Sequence, residues 1–584
     1  MAVQEPIGDL ARKWLQQDHD QVTRKEIQDF LASNDEVELE KRLRKRIAFG
    51  TAGLRSSMKA GFAHMNALTV LQTSQGLATY VLDQHIPSSL AVGERLSIVV
   101  GYDARHNSEK FARLAAGAFV AQGLTVLWFG QLVHTPMVPF AVNRYKAAAG
   151  VMITASHNPK ADNGYKVYWS NGCQIIPPHD KGIATAIDQV EVISNWDETT
   201  VDSSPLVQRI FPDATDAYYS CLRRLVPPPH KAQTASFTYT PMHGVGLPFM
   251  KQAADMLGFR GDCMHVVLDQ AQPDPEFPTV PFPNPEEKGA LNLAFAEADK
   301  HGCTIVLAND PDADRFAVAE KLENGKWHQF TGNQMGVLLA SYIFETYPHD
   351  RSKLAMLAST VSSRMLASMA ETEGFHFKET LTGFKWLGNE AKSLQALGYD
   401  AVYAYEEAIG YMFAGVVWDK DGIAAAAVFL TAWQRWQTQG LTPWQKLQQL
   451  YKTYGYFEDA NTYLISPSPD VTEQVFTSIR AGSLPTTIGK RRILRWRDLT
   501  VGYDTADTDG KPDLPVDSTA QMITCELGDV VFTARGSGTE PKIKLYIEAT
   551  ASSSAEAKQR ADEVLQDLLR EWFRPEYGLR LAGT

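Results

Sequence analysis

Short apolar runs that alternate with helical patterns constrain the fold of this chain more than any other feature. The run LSIVVGYD at 96–103 is typical of a buried strand, a helical pattern follows at 108–124, and TVLWFG at 125–130 is typical of a second strand. The same order recurs within 265–310 and again within 353–407. Such recurrence predicts parallel α/β layers with helices on both faces. In these layers the ligand site forms at the carboxyl ends of the strands.

The C-terminal part shows a different pattern. Residues 525–550 predict two strands around a polar loop, and residues 552–573 predict an amphipathic helix, which together indicate a small α+β domain. Proline-rich or turn-rich segments mark candidate domain boundaries near 224–233, 323–334 and 454–462. We therefore predict four domains, at residues 1–226, 227–330, 331–456 and 457–584.

The composition excludes several classes of protein. Of the 584 residues, 44% are hydrophobic, which is enough for several packed cores and argues against disorder. The 68 acidic and 56 basic residues give a net charge of −12, without the basic face that a nucleic-acid-binding protein needs. No apolar run is long enough to cross a bilayer, so no membrane partner is predicted.

The cysteines and the N-terminal segment indicate a compartment. The five cysteines are scattered and form no C-x-x-C pair, so a disulfide framework or a zinc site is not expected. The first residues lack the apolar core of a signal peptide and include acids early on. We expect a cytoplasmic protein, and the oligomeric state is left open.

A polar loop with a serine follows the apolar run GVMI at 150–153. Taken alone, Ser156 fits the N-cap of a following helix, and its flanks lack the G-x-S-x-G pattern of a hydrolase nucleophile. His157 alone fits an ordinary loop histidine. The combination is more informative, because Ser156, His157 and Lys166 come together at the carboxyl end of a predicted strand, where α/β proteins place their chemistry.

Three acids alternate after the apolar run TIVLA at 304–308. In an extended segment, this spacing directs the carboxylates of Asp310, Asp312 and Asp314 to the same side. Clustered carboxylates repel one another unless a cation is present, and hard oxygen ligands select Mg²⁺ or Ca²⁺. The pattern does not match an EF-hand loop, whose glycine and glutamate positions are occupied by other residues here. We therefore predict a metal site.

A polar loop near the C-terminus is a candidate phosphate site. Within TARGSGTEPK, the residues Arg535, Ser537, Gly538 and Thr539 supply a guanidinium, two hydroxyls and permissive backbone, which together suit a phosphate. A hairpin turn with polar decoration is an equally good interpretation of this segment alone. A Walker A loop is excluded, because its G-x-x-x-x-G-K-[ST] pattern is absent.

Three further residues give weaker signals. Lys385 and Glu406 follow strand-like runs at loop positions, where they could bind sugar hydroxyls. Arg55 ends the motif FGTAGLR and could bind a phosphate. Taken singly, Lys385 is better explained as an exposed lysine and Glu406 as a glutamate at a helix start, and Arg55 fits a surface charge as well as a phosphate ligand.

The motifs together resemble a known family. FGTAGLR, TASHNP, NDPDADR, TLTGFKW, YEEAIGY and RGSGTEPKIKLY occur in the order found in the α-D-phosphohexomutase superfamily. PDPEFPTVPFPNPEE and EEAIGYMF are similar in particular to the phosphoglucomutase-2/phosphopentomutase branch. The resemblance implies three mixed or parallel α/β domains and a smaller C-terminal α+β domain around a central cleft.

The resemblance also implies a role for each motif residue. Ser156 corresponds to the serine that is phosphorylated in the resting enzyme, and one Mg²⁺ per subunit is expected on a phosphoserine oxygen and the three acids. Arg55 and Arg315 are expected beside the phosphoserine, and His157 and Lys166 in proton transfer or sugar contact. The implied substrate-binding residues are Lys385 and Glu406 for the sugar, and Arg535, Ser537, Gly538 and Thr539 for the distal phosphate.

The activity implied by the resemblance is that of a mutase for phosphorylated sugars. It interconverts pentose 1-phosphate and 5-phosphate, has some phosphoglucomutase activity, and uses a sugar bisphosphate as intermediate and activator. Many hexose-phosphate mutases have a serine where this chain has Ala408, which is compatible with a pentose preference. The alternatives are a glucose-1,6-bisphosphate synthase, a catalytically silent phosphosugar-binding protein and, remotely, a hydrolase.

Overall fold

A computed structural model describes residues 5–50, 53–85, 95–227, 235–259, 261–537 and 541–582. The chain forms two compact units. The first unit comprises Met1–Tyr347, Leu354–Leu357 and Gly383–Gly440, and the second comprises Pro348–Lys353, Ala358–Thr382 and Leu441–Thr584.

The first unit begins with three helices for which the sequence patterns make no prediction. They are α1 (Ile7–Gln17), α2 (Gln21–Ala32) and α3 (Glu36–Leu43). Trp14, Ile27 and Leu39 are buried in one shared apolar cluster. The side chain of Asp20 caps α2 by accepting the N–H of Val22 at 2.9 Å. These helices therefore have a small core of their own.

A six-stranded mixed sheet follows. Its strands are β1 (Leu54–Ser57), β2 (Ser97–Tyr102), β3 (Thr125–Trp128), β4 (Ala149–Ile153), β5 (Asp162–Trp169) and β6 (Val207–Arg209). The strand order is β1-β5-β4-β2-β3-β6. β2, β3, β4 and β6 run parallel, whereas β5 is antiparallel to both β4 and β1. β2 and β3 lie within the two apolar runs that predict strands.

Helices surround this sheet and supply its core. They are α4 (Ala67–Gln84), α5 (Ser108–Ala121), α6 (Met137–Tyr145), α7 (His179–Asp188), α8 (Thr200–Ser203) and α9 (Phe211–Leu225). β2 is almost wholly buried because helices pack against it, as expected for a central strand of an α/β layer. The predicted helical pattern at 108–124 coincides with α5.

A second mixed sheet supports the acidic motif. Its elements are β7 (Phe237–Thr240), α10 (Gly246–Met256), β8 (Met264–Val266), α11 (Asn292–His301), β9 (Ile305–Ala308), β10 (Ala317–Lys321) and β11 (Trp327–Gln329). The strand order is β11-β10-β9-β7-β8, with β7, β8 and β9 parallel. The predicted turn near 323–334 contains β11 and is therefore more structured than expected.

The strand and helix pattern predicted within 353–407 is also present. The elements are α12 (Gly332–Thr346), β12 (Leu354–Ser359), α13 (Met365–Glu373), β13 (His376–Thr380), α14 (Phe384–Ala396), β14 (Asp400–Glu406), β15 (Gly410–Phe413), α15 (Gly422–Thr438) and α16 (Pro443–Tyr454). β14 and β15 form an antiparallel hairpin. β13 was not predicted, because all but Phe377 of its residues are polar and all but Thr380 are only partly buried.

The C-terminal region is an antiparallel α+β fold. Its elements are β16 (Tyr456–Asp459), β17 (Thr462–Ile465), α17 (Pro469–Arg480), β18 (Thr487–Ile488), β19 (Arg491–Arg492), β20 (Arg495–Asp498), β21 (Tyr503–Asp504), β22 (Met522–Glu526), β23 (Val530–Gly536), β24 (Lys542–Ala551), α18 (Ser554–Glu571) and β25 (Arg580–Leu581). The stretch 525–550 contributes to three strands rather than the predicted two. The predicted helix is α18, which packs on β16 and β24.

Within the described ranges, the chain contains no helix with both the length and the apolar character needed to span a bilayer.

Candidate active site

The turn between β4 and β5 carries Ser156. Because these two strands are antiparallel neighbours, the chain returns directly into the sheet and no helix follows the serine. The interpretation of Ser156 as a helix N-cap is therefore wrong. Ser156 has a φ of 53°, is 3% exposed, and donates its N–H to Thr154 Oγ1 at 2.9 Å. A non-glycine residue in this left-handed region marks a tightly determined backbone.

The three acids follow β9 in a turn. The predicted extended segment is wrong, since Ala313 has a φ of 50° and the chain reverses into antiparallel β10. The expected convergence is nevertheless present. Asp310, Asp312 and Asp314 are all buried, and each offers a carboxylate oxygen within 4.8 Å of the others.

The serine and the acidic turn form one site. Ser156 Oγ donates a hydrogen bond to Asp310 Oδ2 at 2.7 Å. The two residues come from different sheets of the first unit, so the packing of one sheet beside the other brings them together. A hydroxyl therefore lies at the edge of a concentrated negative charge.

Two ammonium groups balance part of that charge. Lys166 on β5 donates to Asp312 Oδ2 and to Asp314 Oδ2, both at 2.8 Å. Lys420 Nζ lies 3.0 Å from Asp314 Oδ2. All of these groups are largely buried, so their interactions are stronger than those of surface ion pairs.

The acids differ in how readily they ionise. Burial raises the pKa of Asp310 well above its usual value, and repulsion from Asp312 and Asp314 adds to the increase. Burial acts on Asp312 in the same direction, but Lys166, Thr135 and Lys420 together outweigh it and the pKa of Asp312 is lowered. Thr135 Oγ1 also donates to Asp312 Oδ2 at 2.6 Å. Of these two acids, Asp310 therefore depends more on additional positive charge.

The donor set fits a divalent cation. Asp312 Oδ1 and Asp314 Oδ1 are buried and have no hydrogen-bond partner among the described residues. Leaving such oxygens unpaired is costly, and a hard cation with oxygen ligands relieves that cost. The three carboxylates could hold one such ion next to Ser156.

His157 lies beside the same hydroxyl. Its Nδ1 is 3.2 Å from Ser156 Oγ. Burial lowers the pKa of His157 well below its usual value, and the nearby charges of Arg315 and Arg55 lower it further. The imidazole is therefore neutral at pH 7 and able to accept a proton.

Two arginines flank the serine turn. Arg55 on β1 donates to Asn158 Oδ1 at 3.2 Å. Arg315 donates its backbone N–H to Asp310 Oδ1 at 3.0 Å, and its guanidinium lies 4.0 Å from Glu286 Oε2. In the described part of the chain nothing accepts a hydrogen bond from the buried Arg315 Nε, which leaves a donor for an anion.

The motifs TLTGFKW and YEEAIGY, which contain Lys385 and Glu406, contact each other. Lys385 lies in the first turn of α14, so the prediction of a loop position is wrong for this residue. Glu406 is the last residue of β14, so the predicted loop position is wrong for it as well, and it accepts the backbone N–H of Gly383. Burial and the charge of Glu407 raise the pKa of Glu406 to about 7. Ala408 lies in the turn between β14 and β15.

The candidate phosphate loop belongs to the second unit and connects β23 to β24. Arg535 lies within β23, and Ser537 donates its N–H to Lys542 O at 2.8 Å. Gly538 and Thr539 lie outside the described residues. The flanking strands β23 and β24 pair antiparallel, and phosphate binding by this loop stays a prediction.

Lys420 was missed by the sequence predictions. It lies in the segment WDKDG, where Asp421 caps α15 by accepting the N–H of Ile423 at 3.0 Å. A Cβ on Gly422 would lie 2.3 Å from Arg315 O, so only glycine permits this close approach to the acidic turn. A lysine between two acids at a helix start was the available signal, and it is a common surface pattern.

The four regions match the domains of one family. The matches are to Phosphoglucomutase/phosphomannomutase, alpha/beta/alpha domain I at 46–193, alpha/beta/alpha domain II at 216–324, alpha/beta/alpha domain III at 331–454 and C-terminal domain at 516–566. The chain belongs to the phosphoglucomutase/phosphomannomutase family. The family resemblance seen in the motifs and the four-domain α/β architecture are both confirmed.

Relatives in this family align with nearly the whole chain. A probable phosphoribomutase of Schizosaccharomyces pombe is 46% identical over 98% of this chain and 98% of its own length. The phosphopentomutase of Homo sapiens is 43% identical over 97% of this chain and 95% of its own length. The glucose 1,6-bisphosphate synthase of Homo sapiens is 39% identical over 95% of this chain and 92% of its own length.

A solved structure of this family has the same fold. The crystal structure of a putative phosphomannomutase from Thermus thermophilus matches with a TM-score of 0.64 and 20% identity, and it covers 90% of this chain and 99% of that chain. In the family's domain order, Ser156 belongs to domain I and the acidic turn to domain II. Glu406 belongs to domain III and Arg535 to the C-terminal domain.

Proposed function

We propose that this protein is a phosphopentomutase that interconverts the 1-phosphate and 5-phosphate of ribose or deoxyribose. We further propose that it interconverts glucose 1-phosphate and glucose 6-phosphate. The observation that carries the proposal is the 2.7 Å contact between Ser156 Oγ and Asp310 within a cluster of three buried acids. The phosphoribomutase and phosphopentomutase relatives, at 46% and 43% identity, support the pentose substrate.

Ser156 is the phosphate carrier in this proposal. In the resting enzyme its Oγ bears a phosphoryl group. The O–P bond breaks as the free hydroxyl of the sugar monophosphate bonds to phosphorus, which yields a sugar bisphosphate and an unmodified serine. The bisphosphate then reorients, and its other phosphate returns to Ser156. Free bisphosphate acts as activator because it can phosphorylate the serine again.

The sugar hydroxyl must lose a proton as it attacks, and two residues are candidates to accept it. The neutral imidazole of His157, 3.2 Å from Ser156 Oγ, can accept a proton directly. The ammonium of Lys166 already donates to two carboxylates. Both residues stay candidates, because the lowered pKa of His157 makes its imidazole a weak base and the ammonium of Lys166 has no free electron pair.

Asp310, Asp312, Asp314 and a phosphoserine oxygen would hold one Mg²⁺ in this proposal. When bound, the ion supplies charge neutralisation at the transferring phosphoryl group. Arg315 contributes to the same charge neutralisation, because its buried Nε donates to none of the residues that the structure describes. Arg55 adds a second guanidinium near the serine turn.

Other residues bind the parts of the substrate that do not react. Arg535, Ser537, Gly538 and Thr539 hold the distal phosphate in this proposal, and Arg535 offers its guanidinium from the end of β23. Lys385 and Glu406 bind sugar hydroxyls. Ala408 lacks the hydroxyl that a serine would offer, which favours a pentose over a hexose.

A glucose-1,6-bisphosphate synthase is the second candidate, because a relative of that name is 39% identical. Such an enzyme phosphorylates glucose 1-phosphate from 1,3-bisphosphoglycerate. The higher identity of the pentomutase relatives places this candidate second.

One substrate panel tests the proposal. Purified protein with Mg²⁺ and a sugar bisphosphate is assayed on ribose 1-phosphate, deoxyribose 1-phosphate and glucose 1-phosphate, and then with 1,3-bisphosphoglycerate as donor. We expect the fastest turnover on a pentose phosphate. Strong glucose turnover beside negligible pentose turnover would reject the pentose assignment. Net release of inorganic phosphate would indicate a hydrolase instead.

Mass spectrometry of the same preparation tests the carrier. We expect phosphate on the peptide that contains Ser156, and complete loss of turnover in Ser156→Ala. Ser170→Ala, which alters an exposed serine after β5, is the matched control and should retain activity. Unchanged turnover in Ser156→Ala would reject the mechanism, and no turnover in any form would favour a phosphosugar-binding protein.

We also propose the cytoplasm as the location, and the support is that no disulfide joins any of the five cysteines, all of which lie within the described residues. Cell fractionation with an antibody to the protein tests this. The predicted domain boundaries at 226/227, 330/331 and 456/457 are proposals as well, and limited proteolysis tests them.

A further inference from the structure

A buried arginine lies behind the serine turn. Arg105 follows β2 and is 4% exposed. Its guanidinium donates to four backbone carbonyl oxygens of the turn, which belong to Ser156, Asn158, Pro159 and Asp162. The bond to Pro159 O is 2.9 Å and the bond to Asp162 O is 3.3 Å. Arg105 therefore connects the start of the turn to its end.

Only a guanidinium suits this task. Its planar fork directs several N–H groups outward at fixed angles, whereas an ammonium donates from a single nitrogen. The backbone of Ser156 has a φ of 53°, a region that most residues avoid. The bond from Arg105 to the Ser156 carbonyl counteracts relaxation out of that region and so keeps Oγ directed at Asp310.

The side chain of Asp103 holds Arg105 in place. Asp103 Oδ2 lies 3.5 Å from Arg105 Nε, and Asp103 Oδ1 accepts the Arg105 N–H at 3.0 Å. Ser108 Oγ donates to the same Asp103 Oδ1 at 2.6 Å. A buried charge requires such pairing, and this arrangement fixes the guanidinium in one orientation.

The proline-rich segment 273–287 covers Arg105 from the other side. The ring centroid of Phe277 is 5.0 Å from the Arg105 guanidinium carbon. Glu276 accepts from His106 Nε2 at 2.6 Å and from Lys160 Nζ at 2.7 Å. Because Lys160 belongs to the serine turn, this segment contacts both the turn and the residues that hold it.

We propose that Arg105, enclosed by Phe277, is a positioning residue that holds the serine turn in the conformation needed for phosphoryl transfer. The proposal rests on the proposed function, since it concerns the geometry of Ser156 in that reaction. Arg105 acts through the backbone of the turn, so its loss should lower kcat more than it raises KM. It should also loosen residues 155–162.

The first test is Arg105→Lys, which keeps the charge and removes the fork. We expect kcat to fall by about 10- to 100-fold with KM within about threefold, since small misplacements of reacting groups cost this much. Amide hydrogen exchange in residues 155–162 should become faster. Arg113→Lys is the matched control, because Arg113 lies nearby on α5 and pairs with Glu109 and Asp202 on the surface. This control should change neither kcat nor the amide exchange of residues 155–162.

A second variant keeps the test decisive if Arg105→Lys does not fold. Phe277→Leu removes the stacked ring and should produce a smaller loss of kcat with the same faster exchange. Phe282→Leu, at a 57% exposed position of the same segment, is its control. Wild-type kcat and unchanged exchange in folded Arg105→Lys, or in Phe277→Leu if that is the folded variant, would overturn the proposal.

The two proposals fail in different ways. If the wild-type protein shows no mutase turnover, the proposed function is wrong, whereas faster exchange in Arg105→Lys still supports the hold on the turn. If the wild-type protein turns over pentose phosphate and the variants match it in kcat and exchange, only the role of Arg105 is wrong.

Discussion

Ser156 Oγ donates a 2.7 Å hydrogen bond to Asp310, a residue 154 positions further along the chain. Asp310 is buried beside two more acids, which raise its pKa together with burial. An ionised Asp310 therefore weakens the fold while it supplies the charge that the chemistry needs. Function and stability are opposed at this carboxylate.

Asp310→Asn should separate these two effects. Without a divalent cation the variant should be at least as stable as the wild type, because one of three repelling buried charges is gone. Its turnover should fall by at least about 100-fold, the magnitude expected when an electrostatic group is lost from a transition state. Thermal unfolding in EDTA and steady-state assays measure the two quantities. Asp299→Asn, on the surface of α11, should change neither, and a clearly less stable Asp310→Asn would contradict the account.

Lys166→Met should have the opposite effect on stability. The variant leaves Asp312 and Asp314 without the ammonium that bonds to both, and breaking a buried ion pair costs about 3–5 kcal/mol. Mg²⁺ should then raise the unfolding temperature of the variant more than that of the wild type, because the site is more negative. Thermal unfolding over a range of Mg²⁺ concentrations measures this, with Lys251→Met as an exposed control. Equal Mg²⁺ responses would disagree with the proposed metal site.

Glu406 should make substrate binding depend on pH. Its pKa is about 7, because burial and Glu407 raise it, so the fraction of carboxylate increases between pH 6 and 8. A carboxylate accepts hydrogen bonds from sugar hydroxyls more strongly than a neutral acid does. We expect KM to rise as the pH falls through this range, and Glu406→Gln to remove the dependence. Glu323→Gln should retain it, and a flat wild-type profile would refute the prediction.

Glu548 should make the second unit less stable at higher pH. Its side chain accepts the N–H of Arg364 at 2.8 Å, and burial raises its pKa from 4.5 to about 7. A raised carboxyl pKa means that folding favours the protonated form. The contribution of this group to stability is therefore greatest below pH 4.5 and is lost as the pH rises to about 7.

The size of this effect is about 1–3 kcal/mol, since one pKa unit corresponds to about 1.4 kcal/mol and the side chain is not wholly enclosed. Denaturant unfolding of the whole chain at pH 5 and pH 8 measures it. Glu548→Gln should flatten the decrease, while the exposed Glu473→Gln should not. An identical pH dependence in Glu548→Gln and wild type would show that this carboxyl is not the cause.

Much of the fold could be predicted because its strands and helices have clear local patterns. β2, α5 and β9 lie where apolar runs and helical periodicity indicate them. β13 was missed because partly buried polar residues such as His376 and Lys378 give no strand pattern. The helices α1 to α3 were not predicted at all, although Trp14 and Ile27 give them a buried face.

The site was predicted in parts. The spacing of Asp310, Asp312 and Asp314 indicated a cation site, and the three carboxylates do converge. The reason given was wrong, because a turn with Ala313 at positive φ brings them together rather than an extended strand. Lys420 was missed, since a lysine between two acids is usually a surface residue.

Local sequence by itself determined the strands that end at the site, the acids in NDPDADR and the serine in TASHNP, because backbone preferences and hydrophobic periodicity act over a few residues. Only the tertiary structure decided that Ser156 faces Asp310, that Lys166 and Lys420 balance the acids, and that Arg105 holds the serine turn. These contacts join residues far apart in the chain, and they depend on how buried sheets and loops pack, which no local pattern encodes.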